Sequence, residues 1–372
     1  MDTLPFSSVL RPTLDGTGRP YLLRPSRHRS GWLLPAEPAL RRPGMSAFGQ
    51  SGVKGFLGRS LPAAWLGGRR LWCDVGPLER ALARAVGEPD VRLAFCIGTS
   101  GAYRKLTAEV ITSGGRVPAY AKIAVHAPAQ ASLEREQATL LRLSTADALR
   151  GRVPEVLAWF RWDGAQVLVT TAGAGRIGPS RFGEQHAEFL RRLHDAFVEK
   201  KPFLASAMWA RMAAAVRRLT PRMSGEWSLR CRNALTLLAE RLGPGVLPLS
   251  AAHRDFTPWN TRVGPQGLYV FDWEAAVEGT TPLYDVFHFQ AMQAALAGRP
   301  YHPSRGRPHD LIAALWPEWQ AHLAPLYLAY LVDMGLFYTE ARLEAPGSGD
   351  DREQRWLAHH IDMYTGSRCA VA

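Results

Sequence analysis

One stretch constrains the fold of this chain more than any other. Residues 252–260 read Ala-His-Arg-Asp-Phe-Thr-Pro-Trp-Asn and fit the pattern H-R-D-x-x-x-x-N. The residues after it predict a β-hairpin, with strands at 261–263 and 268–271 on either side of a Gly-Pro-Gln-Gly turn. That hairpin brings Asp272 back beside Asn260, so two side chains twelve residues apart can bind the same ion.

The polar residues of this stretch suit the transfer of a phosphoryl group. Such a reaction needs a carboxylate that orients the attacking hydroxyl and accepts its proton, and we expect Asp255 to be that base. It also needs hard oxygen ligands for Mg²⁺, and we expect Asn260 and Asp272 to be these ligands. A surface loop with a few polar residues is the alternative interpretation.

Two motifs of the chain resemble those of a known family. They are His-Arg-Asp-Phe-x-Pro-Trp-Asn at 253–260 and Phe-Asp-Trp-Glu at 271–274, and together they resemble the aminoglycoside phosphotransferase and choline kinase group. In that group Asp-Trp-Glu or a related triplet stands where protein kinases have Asp-Phe-Gly. The resemblance implies a small-molecule kinase with a protein-kinase-like fold, which uses ATP and Mg²⁺. It covers residues 77–289, and the C-terminal helices by position only.

Small residues mark a candidate nucleotide-binding loop. A strand predicted at 91–97 is followed by Gly-Thr-Ser-Gly-Ala at 98–102 and by a second strand at 103–112. Small residues between two strands let backbone N–H groups approach a phosphate, so Ser100 and Gly101 are candidate nucleotide contacts. An ordinary hairpin loop has the same composition, and the position ahead of a strand lysine is what favours a nucleotide flap.

That lysine, Lys122, lies in an apolar strand predicted at 119–125. A buried ammonium needs a counter-charge, because an unpaired one is costly. In the next helix three leucines share a face with Glu136, whereas Glu134 is two residues off that face. We therefore expect Lys122 to pair with Glu136, and the strand lysine and helix glutamate of the similar family map to the same two positions. An ordinary surface ion pair is the alternative.

The connection between the two lobes is predicted at residues 170–175, after a strand at 165–170. By resemblance, the backbone groups of Thr170 and Ala172 would hydrogen-bond the adenine ring. Because the backbone makes this contact, the side chains at these positions test the prediction poorly.

These elements predict an α+β, two-lobed, protein-kinase-like fold. The N-lobe, at 77–172, has a small antiparallel sheet with one helix, and the mostly helical C-lobe, at 173–372, carries the catalytic loop. In the C-lobe His253 would brace that loop, while Asp285 either caps a helix or also braces the loop. Helices are predicted at 185–198, 204–219 and 227–242, and a strand at 246–249.

The first 76 residues are a Pro/Arg-rich extension that the resemblance does not cover. Up to residue 62, nine Lys and Arg residues stand against three Asp and Glu residues. Apolar pieces at 21–23 and 32–34 could be edge strands, and the tryptophan and leucines of the segment suggest partial docking on the kinase body. A disordered arm is the alternative, and the sequence assigns the segment no task.

Composition excludes several other classes. The formal charge of +12 suggests an anionic partner, with solvated basic faces as the alternative, and no RNP-type motif, zinc-finger spacing or Lys/Arg block argues for nucleic acid. No apolar run approaches the roughly 20 residues that a membrane helix needs. The chain does not start like a signal peptide, and its four scattered cysteines suit a reduced, cytoplasmic setting.

The predicted function is ATP-dependent transfer of the γ-phosphoryl group to a hydroxyl of a small molecule. A sugar, a glycan or lipid precursor, an amino alcohol or an aminoglycoside would all fit these motifs. The alternative is a catalytically silent kinase-like module that binds a nucleotide or a partner. Against it stand Lys122, Asp255, Asn260 and Asp272, because degenerate kinases often lose at least one such residue. The acceptor, the choice between ATP and GTP, and the oligomeric state stay open.

Charge bears on the choice of acceptor. Polycationic aminoglycosides need an acidic pocket, and like charge slows their encounter with a basic protein. The helices ahead of the catalytic loop carry seven arginines against Glu226 and Glu240. We therefore favour a neutral or anionic acceptor, although Glu274 and Glu278 could make the pocket acidic and the arginines could all face solvent.

Overall fold

The computed structural model describes residues 6–25, 31–41, 43, 69–98, 101, 103–344 and 352–366. Contacts divide the chain into two units, each with a hydrophobic core of its own. The first unit comprises Met1–Gly178 and Trp259–Glu274, and the second comprises Pro179–Pro258 and Ala275–Ala372. None of the described helices combines the length and the hydropathy that a bilayer span requires. The residue boundaries predicted for the N-terminal extension and the lobes stay a prediction.

The first unit is built on a large antiparallel sheet. Its strands are β1 Pro12–Thr13, β2 Arg19–Pro25, β3 Gly31–Pro35, β4 Arg69–Cys73, β5 Val91–Ile97, β6 Leu106–Thr112, β7 Ala119–Ala124, β8 Val156–Trp162 and β9 Ala165–Thr171. Within the described residues their order is β1-β4-β2-β3-β5-β6-β7-β9-β8. The core of the unit lies against this sheet, so the strands that hold functional side chains rest on a packed support.

Four described helices accompany this sheet. They are α1 Ser7–Leu10, α2 Pro38–Arg41, α3 Gly76–Val86 and α4 Ala127–Leu143. Helix α3 carries Pro77 in its first turn, where a missing N–H is harmless, and ends at Gly87, whose φ of 69° suits glycine. Helix α4 packs on β7 and β9 through an apolar face that includes Leu133 and Leu140.

The N-terminal segment contributes interior strands. Strand β2 lies between β4 and β3, and β3 lies between β2 and β5, so the expectation that these pieces are edge strands is wrong. Three of the prolines lie at strand ends, where a missing N–H does little harm: Pro12 begins β1, Pro25 ends β2 and Pro35 ends β3. Leu33 is fully buried in the core, and the sheet is larger than the small one predicted.

Two smaller sheets complete the strands. The first unit has β10 Arg176–Ile177, β13 Thr261–Gly264 and β14 Gly267–Val270, and the second unit has β11 Glu199–Pro202, β12 Val246–Ala252 and β15 Val277–Thr280. The predicted hairpin is present as β13 and β14, with Thr261 paired to Val270 and Gly264 paired to Gly267. Strand β12 leads directly into His253 and the catalytic loop.

The second unit is mostly helical. Its described helices are α5 Glu184–Phe197, α6 Ala207–Leu219, α7 Gly225–Leu242, α8 Tyr284–Leu296, α9 Gly306–Leu315, α10 Leu323–Glu344 and α11 Arg352–Thr365. Serine side chains cap two of them: Ser206 accepts the Trp209 N–H at 2.9 Å and Ser224 accepts the Trp227 N–H at 3.2 Å. Helix α10 is apolar around most of its circumference and runs buried through the core.

We predict that shortening Leu33 destabilises the first unit. Leu33→Ala in β3 should lower the free energy of unfolding by about 2–5 kcal/mol, because it leaves a cavity in the core. Leu14→Ala is the matched control, because the Leu14 side chain is 91% exposed and its loss should change little. Urea unfolding of both variants measures the difference. Equal stability of Leu33→Ala and the wild type would mean that β3 is not part of the folded sheet.

Candidate active site

The first unit contains a cluster of charged side chains centred on the strand lysine. Lys122 lies on β7, and its Nζ is 2.5 Å from Oε1 and 2.7 Å from Oε2 of Glu136. The same ammonium is 2.5 Å from Oδ1 of Asp272. Glu136 is buried on the inner face of α4, whereas Glu134 is exposed. Glu136 rather than Glu134 therefore contacts Lys122, because Glu136 lies on the inner face of the helix.

The two carboxylates control the charge of Lys122. Burial opposes protonation of its amine, but the charges of Asp272 and Glu136 outweigh burial and raise the pKa of the ammonium above its usual value. Lys122 is therefore a fixed positive charge at physiological pH. Removal of either partner would leave buried charges uncompensated, which is costly.

A second lysine that the sequence did not single out joins this cluster. Lys105 directly precedes β6 and forms an ion pair with Glu274, and its Nζ is 3.3 Å from the Ser132 hydroxyl on α4. Burial and then the neighbouring charge of Lys122 lower the pKa of Lys105 to about 8. Lys105 lies in a loop and belongs to no periodic pattern of the sequence. The apolar strand next to it was the one feature that could have indicated a functional lysine here.

The β13–β14 hairpin brings the two expected metal ligands to the same end. Asn260 precedes β13 and Asp272 follows β14, and the Phe271 N–H donates to the Asn260 carbonyl at 3.1 Å. Asp272 has a φ of 72°, a left-handed conformation that turns the chain out of the strand direction. Such strain in a non-glycine residue is typical of functional sites.

The oxygen atoms around Asp272 are of the type that a hard divalent cation prefers. One carboxylate oxygen each from Glu136, Asp272 and Glu274 lie within 4.8 Å of one another. Carboxylate and amide oxygens are the ligands that Mg²⁺ takes in phosphoryl-transfer sites. The donor set therefore fits this ion, and Asn260 and Asp272 stay the predicted ligands.

The predicted nucleotide flap is described only in part. Ser100 lies outside the described residues, whereas Gly101 is described and exposed. The Gly98 N–H donates to the Lys105 carbonyl at 3.1 Å and closes the loop between β5 and β6. The assignment of Ser100 and Gly101 to nucleotide binding stays a prediction.

Thr170 and Ala172, the residues predicted to contact adenine, lie at and just after the end of β9. Thr170 lies in β9 and is in register with Tyr120 on one side and Val156 on the other, so the ladder uses its backbone groups. The Ala172 N–H donates to the Pro118 carbonyl at 2.9 Å. The Ala172 N–H is therefore engaged at the edge of the sheet, because each backbone N–H is a single donor. The assignment of Thr170 and Ala172 to adenine stays a prediction.

In the second unit, Asp285 braces the catalytic loop. Its Oδ2 accepts the His253 N–H at 2.7 Å, and its Oδ1 accepts the Arg254 N–H at 2.9 Å. Burial raises the pKa of Asp285, and the nearby His253 opposes that rise. His253 is fully buried, and its Nδ1 accepts the Asp255 N–H at 3.2 Å. Of the two roles considered for Asp285, the structure shows the brace, because its side chain makes no cap on α8.

A buried ion network holds the arginine of the loop. Arg254 has a φ of 66°, and its guanidinium lies 3.1 Å from Asp333 and over the ring of Phe337. Asp333 also accepts hydrogen bonds from Arg211 at 3.0 Å and from the Tyr284 hydroxyl at 2.6 Å. Burial opposes ionisation of Asp333, but the two arginines outweigh it and lower the pKa of its carboxyl. Sequence reasoning missed Asp333, although an acid within the apolar part of a helix signals a buried partner.

The predicted base, Asp255, is partly exposed. Its side chain keeps 39% of its accessible surface, and its Oδ1 lies 3.3 Å from Nε2 of the fully buried His288. The loop therefore presents one carboxylate to solvent while its backbone is held from behind. His288, like Lys105 and Asp333, is a residue that the sequence did not single out.

Comparison with known proteins places these features in a family. The model of the family described as "Phosphotransferase enzyme family" matches residues 99–322, well over half of the chain. A solved structure of a thermostable mutant of aminoglycoside phosphotransferase APH(4)-Ia, in its apo form, is 16% identical, with a TM-score of 0.51 over 77% of this chain and 98% of that chain. A thermostable mutant of the same enzyme in ternary complex with ADP and hygromycin B is also 16% identical, with a TM-score of 0.51 over 78% and 98%.

A search of curated proteins finds no match. At 16% identity the likeness to the solved structures shows the fold, and it confirms the predicted α+β, protein-kinase-like class. The suspected resemblance to aminoglycoside phosphotransferases is likewise confirmed.

We predict that Asp333→Asn strongly destabilises the second unit. The change leaves Arg254 buried without its counter-charge and should cost about 3–5 kcal/mol of unfolding free energy at pH 7. Because the folded-state pKa of Asp333 is lowered, its contribution is present above about pH 4 and falls as the pH drops further. The stability difference between wild type and variant should shrink below that pH. Guanidinium unfolding at several pH values measures both effects.

Asp310→Asn is the control for this experiment, because the Asp310 side chain is 77% exposed. An equal loss of stability in both variants would remove Asp333 from its assigned role.

Proposed function

The chain belongs to the phosphotransferase enzyme family, and we propose that it transfers the γ-phosphoryl group of ATP to a hydroxyl of a small molecule in the cytoplasm. The observation that carries the proposal is the position of Lys122 between Glu136 and Asp272. A lysine oriented by a helix glutamate, next to a carboxylate that can hold a metal, is the arrangement that nucleotide phosphates require. The fold neighbour solved with ADP and hygromycin B supports a nucleotide as donor.

In the nucleotide half of the proposed reaction, Glu136 orients Lys122, and Lys122 neutralises the α- and β-phosphates. Asn260 and Asp272 would hold Mg²⁺, which when bound neutralises charge on the phosphate oxygens. Lys122 then exchanges its contact with Asp272 for the phosphates and keeps its contact with Glu136. Lys105 keeps the charge of Glu274 balanced, so that this glutamate does not repel the nucleotide.

In the acceptor half, Asp255 binds the hydroxyl and accepts its proton as the new bond to phosphorus forms. The brace from Asp285 to His253 and Arg254 limits the movement of the loop, and His253 supports Asp255 directly. Positioning of this kind supplies most of the catalysis when the transition state is loose. In the sequence four residues stand between Asp255 and Asn260.

For the adenine ring we propose a contact with the backbone beyond Ala172. The N–H of Ala172 is used by Pro118, so Gly173 and Ala174 are the next backbone groups that can serve. Gly173 faces the ring of Tyr269, and a Cβ there would come within 2.2 Å of that ring. This close approach explains why a glycine is suited to the position.

We propose that the acceptor is neutral or anionic. The C-lobe arginines support an anionic acceptor less than their number suggests. Arg211, Arg218 and Arg230 are already engaged in ion pairs. The stronger support is that Glu274, a candidate for an acidic pocket, is paired with Lys105. A polycationic acceptor would have to compete with that lysine.

The acceptor prediction is tested by an ADP-release assay with ATP and Mg²⁺. The panel should hold kanamycin-type amines, choline, simple sugars and sugar phosphates. We expect turnover with a neutral or anionic hydroxyl compound, because like charge slows the approach of polyamines to this basic protein. Efficient turnover of a polyamine, with none of a neutral or anionic compound, would contradict the prediction.

With the acceptor so identified, Asp255→Asn tests the base. The variant should lose about 10²–10⁴-fold in kcat while nucleotide affinity stays close to that of the wild type, because the amide cannot accept the hydroxyl proton. Asp195→Asn, a change at an exposed position of α5, is the control and should keep normal turnover. Wild-type kcat in Asp255→Asn would show that another carboxylate is the base.

A further inference from the structure

The carboxylate of Asp255 has a buried neighbour, His288, which has no role in the proposed reaction so far. His288 on α8 is fully buried, and its Nε2 lies 3.3 Å from Oδ1 of Asp255. The other ring nitrogen, Nδ1, lies 3.3 Å from the hydroxyl of Tyr330 on α10, which is also buried. All three residues belong to the second unit.

The chemistry of these groups fixes the direction of the hydrogen bonds. An ionised carboxylate only accepts, so the Nε2 of His288 must carry the hydrogen that bonds to Asp255. In the neutral ring Nδ1 then has a lone pair, and the Tyr330 hydroxyl donates to it. The result is a chain of donors that runs from Tyr330 through His288 and ends on the predicted base.

The apolar surroundings of His288 indicate that its polar ring has a functional role. Its neighbours in sequence, Phe287 and Phe289, are fully buried, and α8 is apolar overall. A polar ring in such a place costs stability unless it is hydrogen-bonded, and an aliphatic side chain would avoid that cost. Besides Asp255 and Tyr330, the described titratable groups that act on this region include Asp285 on the same helix, His253 of the catalytic loop and the tyrosines Tyr284, Tyr301 and Tyr338.

We propose that His288 is a positioning residue for the base: its Nε2–H holds Oδ1 of Asp255 and so orients the carboxylate for the acceptor hydroxyl. This inference rests on the proposed function. In the step, the acceptor oxygen forms a bond to the γ-phosphorus and the bond from that phosphorus to the bridging oxygen breaks. ADP leaves with the electron pair, and the hydroxyl proton goes to the Asp255 carboxylate. The hydrogen bond on Oδ1 orients the carboxylate and stabilises its negative charge before the transfer.

The test compares two substitutions at one position. His288→Gln places an amide donor near the position of Nε2, whereas His288→Leu fills the space without a donor. With the acceptor found for the wild type, His288→Leu should lower kcat about 10- to 100-fold, the range for a lost hydrogen bond to a charged group, with little change in KM. The acid limb of its kcat–pH profile should move to higher pH, because the carboxylate loses a donor that favours its charged form.

His288→Gln should restore most of the kcat and of the acid limb of the wild type. Tyr330→Phe removes only the hydrogen bond from Tyr330 to His288 and should lower kcat less than His288→Leu does. A purely structural role predicts another pattern. If His288→Leu lowers kcat without moving the acid limb, or if His288→Gln is no better than His288→Leu, the proposal is overturned.

A second readout does not depend on turnover. Nitrogen-15 spectra of the histidine rings should show His288 with its hydrogen on Nε2, and Asp255→Asn should shift that resonance. A hydrogen found only on Nδ1 would overturn the proposal. If the wild type phosphorylates no acceptor, the proposed function fails, and the ring spectra still decide whether His288 donates to Asp255.

Discussion

The first unit depends on the ion pairs of one ammonium, that of Lys122. Lys122 is tied at once to α4 through Glu136 and to the β13–β14 hairpin through Asp272. Charges removed from water must be compensated at close range, so these elements cannot shift independently without a large cost. The need for a counter-charge also suits the site to phosphates. Lys122 can keep its ion pair with Glu136 and exchange its ion pair with Asp272 for a phosphate anion of higher charge.

In the second unit, buried carboxylates likewise hold the catalytic loop in place. Asp285 satisfies the two backbone N–H groups of His253 and Arg254, and Asp333 satisfies the Arg254 side chain. Arg254 has a left-handed backbone that is unfavourable for a side chain of its size, and these contacts maintain it. The loop therefore presents Asp255 on a backbone that is fixed at both preceding residues.

Local patterns in the sequence predicted the parts of the fold that are set by near neighbours. The hairpin between Asn260 and Asp272 followed from a turn between two short apolar runs, and the choice of Glu136 over Glu134 followed from helix periodicity. The residues that were missed have partners distant in sequence. Lys105 meets Glu274 across 169 positions. No local period encodes such a contact.

The N-terminal strands illustrate the same limit. Proline and arginine content suggested an irregular arm, whereas β2 and β3 lie inside the sheet because β3 pairs with β5, from Gly31 with Ile97 to Leu33 with Phe95. His288 is a milder case. A polar ring in an apolar helix signals a buried partner, but only the packed structure identifies that partner as Asp255.

The central claim is that the Lys122–Glu136 pair holds the phosphates of a nucleotide. Calorimetric titration of a non-hydrolysable ATP analogue with Mg²⁺ into wild type, Glu136→Gln and Glu134→Gln tests it most directly. We predict that Glu136→Gln weakens binding by about tenfold or more, equivalent to roughly 1.4 kcal/mol, and that Glu134→Gln, a change at an exposed position of the same helix, binds as the wild type does. Equal affinities in all three proteins, or no binding by the wild type, would contradict it.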